Sequence, residues 1–132
     1  MFRRKRLPDE LARSLEGFRS VVSEVEAGKD AMTSTVPTTR LPGTPLPDAV
    51  LELEERLGHA KELMPTWRRP EVEAEWAACE EGIDESLRRA MRLREEAPDL
   101  GGFEGLIWAV DQVLAPLETF VAAAERFRTL RR

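Results

Sequence analysis

His59 is the only histidine in the sequence. Imidazole is the side chain that exchanges a proton near neutrality and ligates metals through either ring nitrogen. Glu55 stands four residues before it, and Glu52 and Glu62 fall on the same side of a helix through this stretch. Such a group could hold a metal weakly. A helical di-metal site, however, takes its carboxylates from interior faces and repeats a Glu-x-x-His pair. His59 instead falls about 180° from the apolar stripe Val50, Leu53, Leu57, Ala60 and Met64. It reads as an exposed, ordinary histidine. Cys79 falls on an apolar face with no histidine patterned beside it to activate the thiol, so it reads as buried and inert. Glu73, Glu80, Glu81, Asp84 and Glu85 fall off the apolar stripe of their own segment and read as a solvated face, not as catalytic pairs. GGFEG at 101–105 lacks the preceding strand and the lysine of a phosphate-binding loop. Nothing assembles a nucleophile, base, metal or cofactor, and the expectation is a non-enzymatic chain with no cofactor and no metal.

The second candidate chemistry is anion binding. Arg3, Arg4, Lys5 and Arg6 form RRKR within a basic tail at 1–6, and Arg126, Arg128, Arg131 and Arg132 close the sequence. The net charge is −5. Without those eight basic residues the remainder carries −13, so basic ends sit on an acidic body. RRKR, Arg128, Arg131 and Arg132 could grip phosphate on nucleic acid or on an anionic membrane, where each basic residue contributes about 1 kcal/mol. Nucleic acid is disfavoured: the acidic body repels a polyanion, and no aromatic residues interleave with the basic ones to stack bases. Phe2 beside RRKR is slight support for a membrane-surface hook. The C-terminal arginines also have an ordinary structural reason, because cations favour the negative end of a helix dipole.

The third candidate is aromatic surface. Trp67 sits in the turn PTWRRP at 65–70. Trp108 lies about 140° from Phe103 on its helix, outside the main apolar arc. Either a crossing segment covers Trp108 or it faces solvent as a partner surface; exposed tryptophan is enriched where proteins meet. Trp108 and Trp67 are the candidate partner residues.

Four helical patterns must position these groups. Leu7, Leu11, Leu15, Phe18, Val22 and Val25 predict a helix over 8–32, opened by Pro8, Asp9 and Glu10. The stripe from Val50 to Met64 predicts a second over 47–64, ended by Pro65. Val72, Trp76, Cys79, Ile83, Leu87 and Ala90 predict a third over 70–97, antiparallel to the second because PTWRRP is short. Arg94 is the one charge on an apolar face, close enough to the helix end to snorkel. From Phe103 to Phe127 a fourth helix carries a far wider apolar arc, including Ile107, Val110, Leu114, Leu117, Phe120 and Val121, and is expected to be the central packing partner. Pro116 should kink it or split it into two helices at Ala115–Pro116.

Between the first two helices lies TSTVPTTRLPGTPLP, 33–47, with four prolines and six hydroxyl residues. It is long enough to run the length of a bundle as an ordered strap, pinned by Leu41 and Leu46, which would make the first two helices parallel. The alternative is a docking segment: Pro42 and Pro45 have PxxP spacing, and Thr44–Pro45 is a phosphorylation candidate. If the first two helices were antiparallel instead, both basic ends would fall at one end of the bundle.

A length of 132 residues gives one domain, 1–132, with room for a core. At 42% hydrophobic and 34% charged it should fold rather than stay disordered. One cysteine excludes an internal disulfide and suits a reducing compartment. After its basic opening the chain meets Pro8, Asp9 and Glu10, unlike a secretion signal. No unbroken apolar run reaches about 18 residues, so no transmembrane segment is expected. Seventeen arginines against three lysines suggest GC-rich bacterial coding. The expectation is therefore an all-α four-helix bundle with a long Pro/Thr-rich crossover between helices 1 and 2. It should be cytoplasmic and act as a protein–protein interaction module with another protein or as a homodimer. The alternative is binding to an anionic surface through the basic ends.

Overall fold

The computed structural model describes residues 8–37, 42–96 and 102–130, and among these the chain is all-α, with no strand. Helix α1 spans Asp9–Thr33, α2 Leu46–Leu63, α3 Glu73–Glu96, α4 Gly102–Leu114 and α5 Thr119–Leu130. Short 3-10 turns cover Met64–Trp67 and Pro70–Val72 between α2 and α3, and Ala115–Glu118 between α4 and α5. The observed starts and stops follow local chemistry. Asp9 and Glu10 occupy the first turn of α1, and prolines stand in the first turns of α2 and of all three 3-10 pieces.

Long-range contacts fix the directions. Gly17 of α1 lies against Thr66, and Gly28 against Leu53 and Arg56 of α2, so α1 and α2 run antiparallel. Lys61 meets Asp84 at 2.7 Å and Glu54 meets Arg94 at 3.2 Å, so α2 and α3 are antiparallel as well. The Ser86 hydroxyl donates to the Val113 carbonyl at 2.7 Å, and Arg126 reaches Glu75 at 3.6 Å, which turns α4 and α5 back along α3. Phe18 of α1 stacks on Phe120 and lies 5.1 Å from Phe127, closing the core against α5. The beginning of α1 and the end of α5 therefore meet at the α2–α3 junction.

The strap expected over 33–47 does not run along the helices. The Thr44 N–H donates to the Ser34 carbonyl at 2.8 Å, and the two hydroxyls are 3.1 Å apart. Gly43 approaches so closely that a Cβ there would collide with the Thr35 carbonyl, which requires glycine. The segment folds back at the end of α1 instead of crossing over, because its two ends are clamped to each other. Residues 38–41, and with them Leu41, lie outside the described residues.

Nor is the last helix the centre of the packing. That role belongs to α3, which touches α2 on one side and α4, α5 and their joining turn on the other. Small residues permit the approach. Gly82 faces the Pro116 carbonyl, while Ser86 and Ala90 are fully buried. Pro116 has no N–H, so Gln112 loses the donor four residues ahead. The Arg89 guanidinium supplies the replacement, donating to the Gln112 carbonyl at 2.8 Å. The proline is thus absorbed as a 3-10 turn within an almost continuous rod rather than as a sharp break.

Candidate functional site

Trp67 is not a surface residue. Its ring is fully buried, edge-on to Phe18 at 4.9 Å and 6.0 Å from Phe127. The 3-10 turn from Met64 to Trp67 swings it inward, where the indole N–H points at the Met64 sulfur and the Trp67 carbonyl accepts the Ser14 hydroxyl at 2.7 Å. Neighbouring Arg68 is exposed, while Arg69 is only half-exposed, with its guanidinium on Glu10 and its Nε buried; both arginines hide the inward tryptophan from a reading of the sequence. Trp67 is a core anchor between α1, α5 and the turn after α2, and a ring so enclosed offers no surface to a partner.

Trp108 is the opposite case, with 66% of it exposed. Val121 on α5 is equally exposed, and Ile107 is 38% exposed. These three lie on the outer side of α4 and α5, away from Ala109, Val110, Val113, Leu117, Phe120, Ala123 and Phe127, which make the inner side. Ile107 and Val121 belong to the apolar arc of the sequence, yet the structure leaves both exposed. The available signal was the width of that arc, which exceeds what one helix can turn toward its neighbours. Leu51 and Met91 are also half exposed, as single residues on α2 and α3. By length and composition alone the stretch Glu104–Leu130 resembles a membrane span, a test that the core helix of a soluble protein also meets. The stretch contains an 18-residue window of mean hydropathy 1.4, and only 33% of that window is buried.

The basic residues are largely engaged where they are described. Arg128 pairs with Glu125 at 2.7 Å. Arg69 pairs with Glu10 at 2.8 Å, and Arg126 donates to the Glu71 carbonyl at 3.2 Å. Arg68 lies over the Trp76 ring at 4.1 Å and grips Glu73 at 2.7 Å, which lowers the Glu73 pKa and raises that of Arg68. Arg3, Arg4, Lys5, Arg6, Arg131 and Arg132 lie outside the described residues.

The polar candidates have local explanations. His59 is exposed, and the carboxylate it faces is Glu24 of α1 at 3.8 Å, not Glu55. That carboxylate is shared with Arg56 at 3.4 Å. Among the described residues no group of three or more His, Cys, Asp or Glu could hold a metal. Cys79 is buried against the start of α5, and burial pushes its thiol up to about 12. A shallow groove between α3 and the Pro116 turn contains Glu81, Glu85, Arg89 and Thr119. Its Glu85 is held below the ordinary carboxylate range by Arg88 and Arg89, so it is a paired anion rather than an available proton carrier. No family model, curated protein or solved structure matches the chain.

Proposed function

We propose that this chain is a non-enzymatic protein–protein interaction module, built as a four-helix bundle in which α4 and α5 count as one rod, and that its contact surface is the outer side of that rod. The single observation that carries this reading is the exposure of Ile107, Trp108 and Val121 on one side of the most apolar stretch of the chain. Scattered exposed apolar residues are ordinary on soluble proteins, but Ile107 and Trp108 adjoin, Val121 repeats fourteen residues after Ile107 along the same rod, and exposed tryptophan is enriched where proteins meet. Burying a fully exposed side chain of this kind contributes roughly 1.5–3 kcal/mol; Trp108 and Val121 offer the larger part of that, and Ile107, already mostly buried, less.

A photo-crosslinking amino acid in place of Trp108, in the full chain inside the producing cell, tests this. Discrete protein adducts are expected from position 108 and not from Glu55, an exposed position on α2. Adducts to lipid or nucleic acid, or none above the Glu55 background, would overturn the interaction reading.

A further inference from the structure

The outer side of α4 and α5 carries a charge pattern as well as an apolar one. Glu104, Asp111, Glu118 and Glu125 recur at every seventh residue, and all four are exposed. Ile107, Leu114 and Val121 recur at the same interval, three residues behind them, followed by exposed Trp108, Ala115 and Ala122; Leu114 is half-buried against the core, and Ile107 and Val121 are exposed. On a straight α-helix a seven-residue row drifts about 20° per repeat. The 3-10 turn at Ala115–Glu118 winds about 120° per residue instead of about 100°, which offsets that drift. Both rows therefore keep to one side of the rod across the proline. Among the described residues Glu104, Asp111 and Glu118 make no ion pair, while Glu125 holds Arg128.

From this we infer that the α4–α5 face docks a helix of another protein, one that carries a lysine or arginine at every seventh position beside an apolar seam. The inference rests on the interaction reading above and adds the chemistry of the partner. A seven-residue apolar row is what a second helix packs along, and charges flanking such a seam select the partner. A second copy of this chain fits poorly. Laid parallel, its carboxylates would face their own images; laid antiparallel, they would be pressed unpaired onto Ile107, Leu114 and Val121. A lipid interior fits poorly for the same reason, since the carboxylates stand in the middle of the exposed face.

Two synthetic helical peptides test this. One carries leucine and lysine, each at every seventh residue in this relative phase; its twin carries glutamate for lysine. Trp67 and Trp76 are buried, so a blue shift of the protein's emission on binding reports Trp108. The lysine peptide should shift the emission saturably and the glutamate peptide should not. Neutralising the row (Glu104→Gln, Asp111→Asn, Glu118→Gln) should weaken binding about tenfold or more, in line with coupling between close charges. The same loss of charge at Glu16, Glu55 and Glu62, exposed on α1 and α2, should leave binding within about twofold, which separates a specific face from general attraction to an acidic protein. Each variant's circular dichroism and unfolding midpoint confirm that it is folded. Equal binding of both peptides, no saturable binding of the lysine peptide, or equal sensitivity to the control charges overturns the inference. If position 108 still crosslinks to protein in that event, only the charged-helix partner falls. Lipid adducts from position 108 remove both readings.

Discussion

Substituting Gly82 by alanine probes the contact that lets α3 lie against the Pro116 turn. In an exposed helix interior this change stabilises by about 1 kcal/mol, because alanine loses less backbone freedom on folding. At position 82 the new methyl would collide with the Pro116 carbonyl and come within 2.8 Å of the Thr119 hydroxyl. A backbone carbonyl cannot swing aside, so α3 and the turn must separate. Overpacking of this kind costs about 1–3 kcal/mol. The separation also stretches the buried Ser86–Val113 hydrogen bond, now 2.7 Å, whose loss leaves a polar group unsatisfied at about 1–3 kcal/mol. Set against the propensity gain, the net destabilisation is about 3 kcal/mol, which lowers Tm by roughly 12 °C at this chain length. Gly58→Ala is the internal control. Nothing lies within 4 Å of a Cβ built there, so it should gain about 0.5–1 kcal/mol. Urea unfolding monitored by circular dichroism measures both. A Gly82→Ala midpoint at or above that of the parent chain would refute the close packing of α3 on the turn, whatever Gly58→Ala does.

The two tryptophans should respond differently to the same substitution. Trp67→Ala removes a fully buried ring and should cost about 3–5 kcal/mol, whereas Trp108→Ala should change stability by less than about 0.5 kcal/mol; urea midpoints compare them. Cys79 should make stability fall at high pH. The unfolded thiol releases its proton near 9.0 and the folded one near 12, so between those values the unfolded chain holds fewer protons and is favoured as pH rises. One such thiol adds a slope of up to about 1.4 kcal/mol per pH unit, so Cys79→Ala should show a shallower fall than the parent chain, with the remainder near pH 11 coming from groups such as Lys61, whose pKa Asp84 raises; midpoints measured from pH 8 to 11 provide the comparison.

Helical periodicity was a reliable guide wherever one face is buried. The stripes ending at Val25, Met64 and Ala90 predict three helices whose boundaries fall within a few residues of those observed, and Pro116 marks the 3-10 turn that joins α4 to α5. Direction was less legible. Composition marks 33–47 as irregular, but the pairing of Ser34 with Thr44 depends on backbone groups that every residue carries. Trp67 was misread because its flanking prolines and arginines resemble a surface turn, while the side-chain direction depends on 3-10 winding. Trp108 could be placed outside the core from its wheel angle. Ile107 and Val121 could not, because an apolar residue at the margin of an arc is buried only if a neighbouring helix reaches it. The charge row needed both the wheel and the turn at Pro116, since the phase of Glu118 relative to Asp111 depends on how the four residues between Leu114 and Thr119 wind.

The Ser34–Thr44 clamp has a consequence for how this chain tolerates change. Helix alignment is set by the latch at its rim and by Gly28 against Leu53, not by the length of peptide between Val36 and Pro42. Closing a loop grows more costly only logarithmically, about 0.6 kcal/mol for each doubling. Related chains can therefore gain or lose residues there, or accept a grafted epitope, while the α1–α2 hairpin keeps its alignment.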